Sequence, residues 1–326
     1  MLLRDLYYHV KPAVPRSLRL AVRRARARRL RRRFSASWPI DVASGRTPAG
    51  WRGWPRGEAF AFVLTHDVEG AIGLGRCRAL ADMEMSLGFR SAFNFVPEGE
   101  YEVPSQLRRA LTADGFEIGV HDLHHDGKLY RSRTRFRTAA QTINRYLASW
   151  ESVGFRSAFM LHNLAWLQDL DALYDASTFD TDPFEPQPDG VKTIFPFWVA
   201  RPDGTGYVEL PYTLPQDSTL FLILQEPTIE TWRRKLDWVA RHGGLALVNV
   251  HPDYMSFGPA KGRHEYDAGL YRALLQYVRN RYDGRCWFAL PREVADYVRR
   301  FQDVESDVES DREVGIAAAS AQGPLV

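Results

Sequence analysis

Phe60-Ala61-Phe62-Val63-Leu64-Thr65-His66-Asp67-Val68-Glu69 is a continuous apolar run that ends in two carboxylates. Such a run fills a strand buried on both faces, the habit of interior strands in parallel sheets. Asp67 and Glu69 are two apart and share one face of the strand end, while His66 and Val68 face the other way. One carboxylate can ligate a cation while its neighbour stays free to take a proton.

A second stretch supplies the partners that a cation needs. Phe116-Glu117-Ile118-Gly119-Val120 reads as a short buried strand, and it runs into His121-Asp122-Leu123-His124-His125. On a continuing strand His121 and His125 would lie roughly 13 Å apart and could not share an ion. The pair works if the chain leaves its strand at His121 and coils, because residues four apart in a helical turn are neighbours. His124 is the rival second ligand. Leu247-Val248-Asn249-Val250-His251 adds a third histidine after another apolar run.

Working outward, strand-like and helix-like segments alternate. Strands are expected over 60–65, 91–96, 117–121, 155–160, 175–179, 245–250 and 286–290. Helices are expected over 104–113, 135–153, 166–173, 228–241, 266–282 and 291–301, with one more between the first two strands. A β-rich insert covers 193–199, 207–210 and 220–224. This order implies an α/β fold of parallel strands with crossover helices. Asp67, His121, Arg156 and His251 each fall at or near the carboxyl end of an expected strand, and they converge only if the sheet curls. A barrel is therefore favoured over a doubly wound sheet. Gly70-Ala71-Ile72-Gly73-Leu74-Gly75 follows a strand but lacks the dinucleotide-binding spacing.

The 326 residues, 45% hydrophobic, suffice for one large core. Cys77 and Cys286 are far apart and in no metal-like spacing, so core roles are expected of them. The net charge of +3 hides a strong segregation: residues 1–34 hold twelve Lys or Arg against Asp5 alone, leaving the remainder acidic. We divide the chain into a basic arm and linker (1–50), a catalytic domain (51–302) and a disordered acidic tail (303–326). The arm lacks the apolar core of a secretory signal, and no run of 18 apolar residues offers a membrane span. It is expected to be solvated, or to adsorb to an anionic membrane surface. No nucleic-acid partner is expected, because no base-reading motif accompanies the charge. A cytoplasmic location, peripheral on the inner face of the membrane, follows as an expectation.

Taken together, Thr65 to Glu69, His121 to His125, Phe155-Arg156-Ser157-Ala158-Phe159 and Leu247 to His251 resemble, in order, the motifs of the polysaccharide deacetylase superfamily. This is carbohydrate esterase family 4, the NodB-homology domain, and the resemblance spans residues 58–300. It implies a distorted, incomplete (β/α) barrel of about seven parallel strands and a metal-dependent hydrolase that removes N-acetyl groups from an amino sugar. Because the arm does not read as a secretory signal, the substrate is expected inside the cell, as a polysaccharide or its lipid-linked precursor. The implied cofactor is one divalent ion, Zn2+ first, with Co2+ or Ni2+ as alternatives. Asp67 matches the catalytic base, His121 and His125 the metal histidines, Arg156 the arginine that orients the base, and His251 the general acid. Asp180 or Asp182 is the candidate carboxylate that tunes His251, with Asp182 preferred.

Two departures matter. Val68 stands where most members of the family have a second aspartate, and Glu69 follows it. A branch resembling peptidoglycan and cyclic-imide deacetylases spaces its acids this way, which makes Glu69 the metal carboxylate. The usual Arg-x-Pro-Tyr is here Arg156 to Phe159, and the family's oxyanion donor, a backbone N–H, would come from Phe159. Two rivals stand beside the deacetylase: an inactive sugar-binding or scaffold relative in glycan assembly, and a hydrolase of a non-sugar amide or cyclic imide.

Overall fold

In a computed structural model of the chain, the described residues are 16–301 apart from 202, 260 and 263. The acidic tail and residues 1–15 lie outside them. The central strand is β1 (Phe60–Val68), buried along its whole length. Beyond it the chain alternates through α-helix Ala71–Ser86, β2 (Ala92–Phe95), β3 (Glu117–His121), helix Arg133–Ser149, β4 (Gly154–Arg156) and β5 (Tyr174–Asp175). Then come β6 (Phe197–Ala200), β7 (Gly206–Glu209), helix Glu230–His242, β8 (Leu245–Val250), β9 (Met255–Ser256), β10 (Tyr266–Asp267), helix Gly269–Tyr282, β11 (Cys286–Ala289) and a last helix over 291–301.

Nine strands form one curled sheet, in which every pairing is parallel except that of β6 with β7. One edge of β1 is lined by β8. The other is shared in succession by β11, beside Phe60 to Val63, and β2, beside Thr65 to Val68. No ladder joins β7 to β8 among the described residues. The segment 212–214 spans the gap, with Thr213 N and Leu214 N donating to Leu247 O at 3.1 and 3.2 Å. The sheet curls as the motif positions require and is the distorted, incomplete barrel that the resemblance implied, with eight parallel strands rather than about seven.

Alternation along each strand separates two environments. Phe60, Phe62, Leu64 and Val68 face outward and pack under the helices, with Leu80, Trp232, Leu236 and Leu274. Ala61 and Val63 face the barrel interior, with Leu245, Leu247, Val208 and Tyr174, and the 291–301 helix closes that end through Val294, Ala295 and Val298. Going up the same interior face, the side chains become Thr65 and Asp67 on β1, Asn94 on β2, His121 on β3, Arg156 on β4, and Asn249 and His251 at the end of β8. Register places Thr65 beside Asn249, Asp67 beside Asn94, and His121 beside Arg156. The floor of the barrel is therefore apolar and the carboxyl-terminal rim polar, the arrangement that puts barrel active sites at that end.

The helices follow from their apolar spacing. In Arg133–Ser149, Phe136, Ala140, Ile143 and Leu147 form one buried stripe, and Ser132 caps the first turn by accepting from Arg135 N at 3.2 Å. Helix Glu230–His242 stops at Gly243, whose φ of 71° suits the left-handed stop.

Several expectations need correction: the helix expected over 166–173 is only Leu164–Leu167, and the strands expected over 175–179 and 193–199 are Tyr174–Asp175 and Phe197–Ala200. The run over 220–224 is not a strand: Ser218–Ile223 forms a π-helix begun by Asp217, whose side chain accepts from Ser218 N. A short apolar run buries equally well in either form, so its periodicity does not decide. The strand expected over 155–160 ends at Arg156, because Phe159 and Met160 take φ of 57° and 51° and turn the chain. The basic arm is helical over Arg16–Arg33. It docks on the π-helix through Arg24 Nε to Leu222 O at 3.1 Å and through the Arg31–Glu226 ion pair at 2.9 Å, with Ala27 buried. No helix among the described residues is long and apolar enough to cross a membrane.

Candidate active site

Asp67 is 2% exposed, and its environment is specific to a carboxylate. Asn94 Nδ2 donates to Oδ1 at 3.0 Å and Asn249 Nδ2 to Oδ2 at 2.8 Å. Arg156 Nη1 stands 3.5 Å from Oδ1 and is fixed by donating to Thr65 Oγ1 at 3.0 Å. Burial alone would raise the pKa of Asp67. The Arg156 charge, the neighbouring histidines and the Asn94 hydrogen bond outweigh it and hold the group well below the carboxylate range. Gly119 makes this possible, since a Cβ there would fall 2.0 Å from Asn94 Oδ1.

His121 is the last residue of β3, and the loop after it delivers His125 to the same point without a helical turn. Asp122 and His125 adopt φ of 56° and 53°, so the chain doubles back through left-handed residues instead. Asp122 secures the bend by accepting from Leu123 N at 2.6 Å and from Ala158 N at 3.3 Å. The two imidazole centroids are 4.9 Å apart. His124 points away, its Nδ1 3.2 Å from Glu98 O, which leaves His125 and not His124 beside His121.

Glu69, His121 and His125 bring one ligand atom each to within 4.8 Å of one another. The donor set suits a divalent ion in its protonation as well as its spacing. His121 Nδ1 lies 3.1 Å from Arg156 O; a carbonyl only accepts, so Nδ1 carries the proton and Nε2 presents its lone pair inward. His121 Nε2 is buried without a hydrogen-bond partner, a costly state that a bound cation would relieve, and His125 Nε2 is buried facing the Glu69 carboxylate. Glu69 Oε1 is 3.3 Å from His125 Nε2, and Tyr254 donates to Oε2 at 2.5 Å.

His251 completes the ring. Its Nε2 is 4.0 Å from Asp67 Oδ2 and 3.9 Å from Glu69 Oε1. Its carboxylate partner is Asp217, not Asp180 or Asp182. Asp217 Oδ1 is 2.6 Å from Nδ1, and Oδ2 accepts from His251 N at 2.9 Å and from Tyr266 OH at 2.8 Å. Burial opposes the charged ring, but the charge and hydrogen bond of Asp217, with Glu69 and Asp67 behind them, raise its pKa to about 10. Asp182 instead accepts from Tyr212 OH and from Phe184 N, both at 2.9 Å, and Asp180 pairs with buried Lys235. The sequence order of the acids gave no warning, because Asp217 arrives on the π-helix that had read as a strand.

Phe159 lies on the turn after β4 with its ring centroid 4.8 Å from that of His125. Asn94, Asn249, Thr65 and Asp253 also belong to the site, beyond the residues expected from the motifs. Asp253 accepts from Glu69 N at 2.8 Å and Gly73 N at 3.1 Å, tying the acidic pair to the following helix. It fits because residue 73 is glycine: a Cβ would fall 2.1 Å from Asp253 Oδ2. Of the glycines after β1, Gly73 thus serves close packing against Asp253, whereas a Cβ at Gly75 would meet open space. An amide inside an apolar strand, as in Phe93-Asn94-Phe95 and Val248-Asn249-Val250, was the available signal for the two asparagines.

No protein-family model and no curated protein matches the sequence. Solved structures do. A Mycobacterium smegmatis protein described as a polysaccharide deacetylase superposes with a TM-score of 0.60 at 19% identity, covering 78% of this chain and 96% of its own. The chain has the polysaccharide deacetylase fold. More distant matches are a family 4 carbohydrate esterase from Streptomyces lividans and a peptidoglycan deacetylase from Bacillus subtilis. The first has a TM-score of 0.41 at 12% identity, covering 71% of this chain and 92% of its own. The second has 0.45 at 10%, covering 79% and 98%.

Proposed function

We propose that the chain is a metal-dependent hydrolase that removes N-acetyl groups from an amino sugar. The observation that carries this reading is the convergence of three ligand atoms from Glu69, His121 and His125, with His121 Nε2 buried and unpartnered, beside Asp67 and His251. A divalent ion held there, zinc first for two imidazoles and a carboxylate, supplies Lewis acidity to water and to the acyl oxygen. Asp67, kept ionised by Asn94, Asn249 and Arg156, takes the proton of the attacking water. The backbone N–H of Phe159 faces the developing oxyanion. His251, holding its proton against Asp217, gives it to the leaving amine.

Purified protein is expected to hold one equivalent of divalent metal by elemental analysis and to release acetate from N-acetylated saccharides. Asp67→Asn should keep the metal and lose turnover by on the order of 10²-fold or more. His121→Ala should lose both. Wild-type turnover by Asp67→Asn would overturn the role of Asp67. An apo protein would point to the inactive sugar-binding relative, and cleavage of small amides or cyclic imides without acetate release to the third reading.

We also infer that the protein sits peripherally on an anionic membrane surface, facing the cytoplasm, where a lipid-linked saccharide would meet it. Supporting this, the Arg16–Arg33 helix is docked through Arg24 and Arg31 and leaves Arg23, Arg26, Arg28, Arg29, Arg32 and Arg33 exposed. Basic residues near anionic lipid contribute about 1 kcal/mol each. Sedimentation with phosphatidylglycerol vesicles, lost in high salt and absent with phosphatidylcholine, is the expected result.

A further inference from the structure

Two clefts flank the loop that carries His121 and His125, and their chemistry differs. One, of about 390 Å³, is lined by Glu98, Asp122 and Asp126, with Arg135 as its one Lys or Arg side chain. The other, of about 230 Å³, has the room of a single sugar ring, and its lining residues include Tyr130, Arg131, His162, Asn163 and Trp166 but no carboxylate. This second cleft adjoins the candidate active site through the chain itself. Gly127 on its wall is two residues past His125, and Leu161 and His162 are two and three past Phe159. Tyr130 OH is 2.7 Å from Ser157 Oγ, on the turn between Arg156 and Phe159, which anchors one wall to the other.

Its polar groups are arranged in advance. His162 Nδ1 lies 2.9 Å from Met160 O, so Nδ1 bears the proton and Nε2 remains as an acceptor for a hydroxyl. Gln187 spends both ends of its amide on the His162 backbone, at 3.2 and 3.3 Å, and holds that residue in place. Asn163 uses Oδ1 to accept from Trp166 N at 3.1 Å, which leaves its Nδ2 as a donor. The Trp166 and Tyr130 rings stack at 16° with centroids 6.2 Å apart, a rigid aromatic wall of the kind on which sugar rings lie. Lys128 and Arg133 are engaged by Asp126 and Asp169, whereas Arg131, among the described residues, has no ion-pair partner.

We propose that this cleft is a subsite for a sugar residue bearing a carboxylate, next in the chain to the acetamido residue at the candidate active site. The aromatic wall takes the ring, Asn163 and His162 take hydroxyls, and Arg131 takes the acid. The proposal rests on the reading of the neighbouring site as an amino-sugar deacetylase, and it names the substrate class of that site: a polysaccharide in which uronic acid alternates with an N-acetylated amino sugar.

The test compares a hyaluronan tetrasaccharide, which places a uronate on either side of N-acetylglucosamine, with neutral tetra-N-acetylchitotetraose. Affinities are measured by calorimetry on the zinc-loaded full chain carrying Asp67→Asn, with and without Arg131→Ala. Acetate release from both ligands is followed with Asp67 intact. The acidic ligand should bind about tenfold more tightly, and Arg131→Ala, a change at an exposed side chain, should erase that preference while leaving the neutral ligand unaffected. Equal binding of the two ligands to the chain with Arg131 intact, or an equal weakening of both by Arg131→Ala, would overturn the subsite. Intact preference with no acetate released from either ligand would sink the deacetylase reading and leave the subsite standing.

Discussion

His251 reaches the site from the end of β8 with Nδ1 2.6 Å from Asp217, and replacing that carboxylate by an amide removes the charge while keeping an acceptor. Asp217→Asn should therefore leave the ring in place and the zinc content unchanged. The pKa of His251 is raised by Asp217, so its loss lowers that pKa, and the proton-donating form disappears at lower pH. The alkaline limb of the kcat profile should move to lower pH, with kcat reduced on the order of 10²-fold and KM little affected. Asp182→Asn, at the position first matched to this role, should leave the alkaline limb where it is, since Asp182 contacts Tyr212 and Phe184 N. At this scale the sequence was legible where a functional group punctuates an apolar strand. Asp67, His121 and His251 all do so, and their spacing alone brought them to strand ends. Asp217 was illegible because no strand carries it, and its neighbours Leu220 and Phe221 are as apolar in a π-helix as in a sheet.

Among the elements, β2 and β3 show how little room the site leaves. Asn94 and Gly119 are register partners, and the amide that holds Asp67 passes through the space a side chain at 119 would fill. Gly119→Ala is expected to push Asn94 off Asp67 while the barrel, whose cores lie on other positions of these strands, stays folded. Turnover should fall by on the order of tenfold with metal content retained, and Asn94→Ala should produce the same loss with no further penalty in the double variant. A double variant as impaired as the product of the two would show that Gly119 acts by another route. The alternation of strand and helix was readable from periodicity, and so was the need for a curled sheet. The loop at 121–125 was readable only in part: the requirement that it bend was clear, but the left-handed conformation of Asp122 is held by Arg156 and Ala158, more than thirty residues away.

For the whole molecule, the polar rim of the barrel comes with buried acids that shape stability against pH. Tyr212 OH lies 2.9 Å from both Asp182 Oδ2 and Glu185 Oε1, and Gln216 donates to the same Glu185 oxygen at 2.7 Å. A single phenol proton serves one acid at a time, so the other acid is best accommodated protonated. Burial pushes Asp182 up to about 7, with the charge of Asp180 adding to it. Burial and then the charge of Asp182 push Glu185 up to about 8. Both folded values lie above the ordinary carboxylate values, so between the unfolded and folded pKa the native chain binds more protons than the unfolded one. Stability is then greatest below the unfolded values and is lost as pH rises through about 7 to 8. Each extra proton held sets a ceiling of about 1.4 kcal/mol per pH unit on that slope. Chemical denaturation of the zinc-loaded protein should show stability falling from pH 5 to pH 8. Glu185→Gln, which keeps an acceptor for Tyr212 and cannot ionise, should flatten the upper part of the curve. A Glu185→Gln curve parallel to that of the wild type would show that this acid is ionised throughout, with the phenol donating to it alone.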